Sequence, residues 1–151
     1  MSELQRLLGA TSRLLCEYEA QAPKVVSVSV SPGWSLGAPV KVQIGGYDTD
    51  RVEVVAKWAQ VLGTDIEVSE YPDHISVYVI TSVADPGGNV GVCFYQQWAI
   101  SDLVRLASWG LWKPTTQAGE PSWTPVPALV APGPVLAALA ADGAAAVGVG
   151  A

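Results

Sequence analysis

Few residues in this chain have the chemistry to act on a substrate. His74 is the only histidine, and it follows Asp73. A carboxylate beside an imidazole can orient a general base, but that base needs a nucleophile within hydrogen-bond reach. Neighbours in a strand point apart, so adjacency alone makes no dyad. No Gly-x-Ser-x-Gly turn is present to supply an exposed serine. Cys93 lies among apolar residues of an expected strand and reads as an inert core thiol.

The carboxylates offer two further groupings. Glu67 and Glu70 flank one expected strand, and Asp48, Asp50 and Glu53 gather where a helix should begin. The second group has a simpler cause, since acids stabilise a helix N-terminus. Asp48-Thr49-Asp50 opens like a calcium loop but lacks the later glycine and the bidentate glutamate. Gly45-Gly46 has no phosphate-loop spacing and reads as a tight turn. Cys16 and Cys93 stand far apart with no Cys-x-x-Cys, so zinc is not indicated. Both thiols are expected to be buried and reduced. No catalytic residue, metal or cofactor is therefore expected, and the chain does not read as an enzyme.

Tryptophan usage stands out instead. Six tryptophans accompany a single phenylalanine. Trp34 lies in a Pro-Gly loop, Trp109 and Trp112 share a face at the end of an expected helix, and Trp123 lies in a proline-rich stretch. Tryptophan is enriched at binding hot spots, which makes these four the candidate partner-binding anchors. The competing reading folds Trp34 and Trp123 back over the sheet as packing.

Hydrophobic periodicity gives the elements that must position these residues. Leu4, Leu7, Leu8, Thr11, Leu14, Leu15 and Tyr18 recur at helical spacing, so residues 2–21 form an amphipathic helix ended by Pro23. Val26, Val28 and Val30 alternate with serines, which predicts a strand over 24–31. A loop over 32–38 and a second strand over 39–44 complete an expected hairpin. Asp50 resembles an N-cap for a helix to Leu62, with Gly63 as its C′ residue. Strands are expected over 65–71, 75–83 and 90–98, the last two joined by the turn Asp85-Pro86-Gly87-Gly88-Asn89. Ser101-Asp102 reads as the cap of a final helix to Leu111. The expected fold is α+β: helices on one face of a mainly antiparallel sheet of about five strands, in the order α-β-β-α-β-β-β-α.

A change of composition after Trp112 divides the chain into a domain over 1–112 and a tail over 113–151. Six prolines interrupt residues 113–134, and Val135 onward is mostly Ala, Gly and Val. The proline stretch is not expected to make regular sheet. A poorly ordered, flexible tail is the leading expectation. A membrane anchor is weakened by Pro132, Pro134 and Asp142. A third reading has Val135–Ala140 as a short helix docking through Leu136 and Leu139 on this or another chain.

The 151 residues amount to about one domain, and the net charge is −6. Scattered acids and no basic patch argue against nucleic acid as a partner. Met1 to Arg6 has no basic run leading to an apolar one, so the expected location is cytoplasmic. The Ala/Val/Gly-rich usage and the segment Trp58-Ala59-Gln60-Val61-Leu62-Gly63, within residues 40–100, resemble small accessory proteins of high-GC actinobacteria and their phages. That resemblance implies an accessory role and carries no activity with it. The leading expectation is a non-catalytic interaction module that binds a protein partner or its own copy, with the Tyr78/Ile80 sheet face adding apolar area. The alternatives are an acidic inhibitor that mimics nucleic acid, and a small enzyme using His74 with a carboxylate.

Overall fold

The computed structural model describes residues 2–18, 20–21, 25–31, 38–44, 51–99, 103–117, 120–124 and 129–149. Among these, the elements run α1 (Glu3–Tyr18), β1 (Val25–Val30), β2 (Val40–Ile44), α2 (Arg51–Leu62), β3 (Ile66–Glu70), β4 (Ile75–Val83), β5 (Val90–Trp98) and α3 (Leu103–Ser108). Then come β6 (Lys113–Gln117), β7 (Glu120–Thr124), β8 (Leu129–Val130) and α4 (Pro132–Val149). The expected Asp50 and Ser101-Asp102 caps, the Gly45-Gly46 turn and most of the 32–38 loop lie outside the described residues.

Local chemistry sets the helix ends. The Gln5 N–H donates to Ser2 Oγ at 3.2 Å, and the Ser2 N–H donates to Gln5 Oε1 at 2.8 Å. Two N-terminal donors of α1 are thus satisfied reciprocally, as a capping box does. Gly63 ends α2 at φ 66°, a conformation that costs a side-chain-bearing residue and costs glycine nothing. Gly110, at φ 79°, turns the chain after α3 in the same way, while the Leu111 N–H reaches back to the Leu106 carbonyl.

The six-stranded sheet has the order β1-β2-β5-β4-β3-β8, and β6 pairs with β7 separately. β2 and β5 run parallel, and the remaining pairs are antiparallel. The fold is therefore α+β with a mixed, mostly antiparallel sheet. The register puts Val42, Phe94, Val79 and Val77 on one face, and Lys41, Cys93, Tyr95, Tyr78 and Glu67 on the other. Leu7 and Leu14 of α1, Val55 and Trp58 of α2, Leu106 of α3 and Val135 of α4 join the first face in one buried core. All four helices thus cover the same side. Within that core the Trp58 ring stacks on Phe94 at 4.3 Å between centroids.

The segment after Trp112 departs from the expected tail. Residues 113–117 and 120–124 form a two-stranded ribbon with Pro114 opposite Trp123 and Pro121 opposite Thr116. Proline is tolerated there because each strand of a two-stranded ribbon is an edge, and alternate N–H groups need no partner. β8 adds a sixth strand to the main sheet through Ile66 and Glu67 of β3. α4 then packs on α2, with Val135 fully buried and Leu136, Ala138 and Leu139 against the core. Pro132 and Pro134 do not prevent this, because they stand in the first turn, where no intrahelical N–H bond is required. Cys16, expected to be buried, is exposed, whereas Cys93 is buried.

One ionic cluster ties α1 to the β4–β5 turn. Arg13 donates to Asp85 at 2.7 Å. Arg6 donates to Asp85 at 3.3 Å and to the Gly88 carbonyl at 2.9 Å, and it also holds Glu3. The Arg13 guanidinium, assisted by the Gly87 N–H and Arg6 and opposed by burial, holds the Asp85 carboxyl below its ordinary value of 3.8. A depressed folded pKa gives stabilisation that is present above 3.8 and lost as pH falls through the folded value. Asp85→Asn is expected to lower the melting temperature at neutral pH. The gap from the parent protein should close as pH drops below 3.8, which thermal melts across acid pH would measure.

Candidate functional site

Two of the four tryptophans proposed as anchors, Trp109 and Trp112, lie in the interior and not on a surface. Trp109 is 5% exposed and Trp112 is 2% exposed, both within the main core. The Trp109 ring meets Trp98 edge-on at 5.6 Å, and its indole N–H donates to Asp142 of α4 at 2.8 Å. The Arg105 guanidinium lies 5.3 Å from the Trp109 ring and 5.9 Å from that of Trp98. Trp109 therefore joins the chain after α3 to α4. The partner-binding assignment of Trp109 and Trp112 is corrected on this ground: α3 ends at Ser108 and Gly110 breaks the expected helical spacing, so both rings lie beyond the helix and pack into the core. Trp34 lies outside the described residues, and Trp123 stands on β7 opposite Pro114.

The sheet face away from the helices carries a depression of about 190 Å³. Lys41, Tyr71, His74, Tyr78, Cys93 and Tyr95 are among its lining residues. His74 Nδ1 contacts Asp73 Oδ1 at 2.7 Å, and the Tyr71 ring stacks on His74 at 4.8 Å. No hydrogen bond among the described residues links His74 to a hydroxyl or thiol. Burial pushes the Cys93 thiol up to about 11, outweighing the opposing charge of Lys41, with Glu67 adding to the rise. Burial also raises Tyr78 and Tyr95, although the Ser69 hydroxyl at 2.9 Å works against the shift at Tyr78. A protonated thiol and protonated phenols are weak nucleophiles at neutral pH. Tyr78, expected to present an apolar surface, is itself 8% exposed. Glu67 and Glu70 pair with Tyr78 and Ile75, at register positions on opposite faces of the sheet. Glu53 is bound to Lys57 at 2.8 Å, while Asp48 and Asp50 lie outside the described residues.

A different surface emerges at the other end of the sheet order. β1 closes the sheet beside β2, and no strand lies on its other side among the described residues. The Ser31 N–H donates to the Pro39 carbonyl at 2.8 Å. Antiparallel pairs alternate between those that exchange hydrogen bonds and those that do not. Ser29 opposite Lys41 shares the bonded phase with Ser31, whereas Val28 opposite Val42 and Val30 opposite Val40 fall in the other phase. The backbone N–H and C=O groups of Val28 and Val30 therefore point away from β2, off the sheet edge.

Among the described residues this edge carries few of the usual guards. Natural edge strands are blunted by charge, proline or a bulge. β1 reads Val-Val-Ser-Val-Ser-Val, with no charge and no proline, and its one register shift sits at the start, between Val25 and Ser27. Val25 and Val28 lie on the helix side, opposite buried Ile44 and Val42, yet they are 38% and 39% exposed. The helix layer stops short of them. On α1, helical periodicity sets Leu4 and Leu8 on the flank opposite Arg6 and Arg13. The arginine flank meets the β4–β5 turn, so the leucine flank turns toward β1, and both leucines are exposed. Sequence reading found the Val/Ser alternation of β1 but not its place, because strand order is a long-range property.

Among the described residues, no group of His, Cys, Asp and Glu is arranged to hold a metal ion. No helix among them is long and apolar enough to cross a membrane. The chain matches no family model, no curated protein and no solved structure.

Two outcomes follow from these placements. Trp109→Ala should destabilise the fold by about 3–5 kcal/mol, the range for truncating a buried large aromatic, and denaturant unfolding would measure it. In the native protein, iodoacetamide at pH 8 should alkylate Cys16 and spare Cys93. Both cysteines should react after denaturation, and intact-mass spectrometry counts the adducts.

Proposed function

We propose that this protein is a non-catalytic interaction module that recruits an extended strand to the open edge of its sheet. The observation behind this reading is β1: an uncharged edge strand whose outward backbone groups sit beside exposed valines and the leucine flank of α1. Strand addition would satisfy those backbone groups and cover apolar surface in one step. The enzyme alternative has less behind it, since burial in the depression on the opposite face keeps the Cys93 thiol protonated at neutral pH. Against nucleic-acid mimicry stands the pairing of Glu3, Glu53 and Asp85, three of the fourteen acids, with an arginine or lysine of the same chain.

The test is site-specific photo-crosslinking of the full chain in cells that express it. Benzoyl-phenylalanine replacing Val28 should give light-dependent protein adducts. The same probe replacing Val104, an exposed apolar residue on α3 at 68% exposure, should give none. Adducts at Val28 no more abundant than at Val104 would reject the edge as a binding surface.

A further inference from the structure

We infer that the partner at this edge is a second copy of the same chain, joined antiparallel through β1 about a two-fold axis. The inference rests on the edge reading above and names its occupant.

The first argument is hydrogen-bond phase. Only Val28 and Val30, and not Ser27 or Ser29, present their N–H and C=O groups outward. In an antiparallel pair, outward-facing residues must oppose outward-facing residues of the other strand. Two copies of β1 therefore meet valine to valine and serine to serine, whichever valine pair lies nearest the axis. The phase that satisfies the backbone also places Val28 and Val30 on the helix side. A strand of another protein would need the same alternation in the same phase, and β1 already carries it.

The second argument is charge. Each chain has a net charge of −6, so two copies repel at long range. Among the described residues, β1 itself carries none of that charge. β1 has no ionisable residue, and the α1 positions bordering Leu4 and Leu8 on their outer side are Gln5 and Ser12. A charged peptide would find no complementary group here, whereas an identical uncharged edge meets no like-charge penalty.

The third argument is coverage. A two-fold axis through β1 sets the two α1 helices on the same face of one continuous sheet. The leucine flank of each turns toward the other, over the valines that its own helix layer leaves exposed. An isologous contact of this kind uses the same patch on both partners.

Sedimentation equilibrium of the full chain across a concentration series tests the inference. A monomer–dimer equilibrium or a stable dimer is expected. Val28→Lys should raise the dissociation constant by about tenfold or more, because the two-fold brings like charges together. Val28→Pro should do the same by removing an outward N–H that β2 does not use. Both variants should keep the parental far-ultraviolet circular dichroism; if the proline variant does not fold, the lysine variant decides. An isotope-filtered NOE experiment on mixed labelled and unlabelled protein should show valine–valine contacts between copies. A dimer unchanged by Val28→Lys overturns the inference. A monomer at every concentration that still gives Val28 adducts with a different protein overturns the second copy and leaves the edge reading standing. A monomer with no Val28 adduct overturns both.

Discussion

The stack of Trp58 on Phe94 fixes where the layers of this molecule meet. Phe94 stands on β5, which pairs in parallel with β2 and antiparallel with β4. Trp58 stands on α2, the helix that also supports α4. Ring centroids 4.3 Å apart set the helix above the middle of the sheet and leave little room for another register. An aromatic pair of this kind adds about 0.5–1.5 kcal/mol beyond the area it buries. Its larger effect is positional. With α2 over β5, α1 can lie on the β1 side of it, and α4 can close over α2 with Asp142 in reach of Trp109.

The same constraint explains the uncovered edge. The ionic cluster at Asp85 holds the arginine flank of α1 over the β4–β5 turn. A helix held there touches β1 but does not cover it fully. Val25 and Val28, which share a face with the most deeply buried residues of the sheet, are consequently left partly in water. The exposed edge is thus the geometric remainder of a core centred on β5. Apolar surface in that position gains from any cover that also supplies backbone partners.

Much of this architecture is legible in the sequence, and what is not has a physical cause. Alternation alone marks β4 over 75–83 and β5 over 90–98, and Gly63 marks the end of α2, because those signals are local. Strand order is not local. Nothing in the residues of β2 says that its second neighbour is β5, some fifty positions later, running parallel to it. The buried fate of Trp109 and Trp112 depends on α4, and α4 is disguised by two prolines that fall harmlessly in its first turn. Leu4 and Leu8 belong to the apolar stripe by periodicity but to the surface by packing. The stripe on α1 is wider than the strip of sheet beneath it, and that excess is the sequence-level trace of the open edge.

An unguarded edge raises the question of why the chain would not add strands without limit. The two ends of the sheet differ in kind. β8, at the other end, has only two residues, Leu129 and Val130, and the chain turns into α4 at Pro132. An edge that short offers too few backbone groups to hold an incoming strand. Pairing through β1 therefore closes on itself: among the described residues it consumes the β1 end of the main sheet in each copy and leaves β8 at both ends of the joined sheet. A contact of β1 with β8 of another copy would be heterologous and could propagate, but it would trade a six-residue match for a two-residue one. The asymmetry of the two edges selects a closed pair over a fibre without any charged guard on β1.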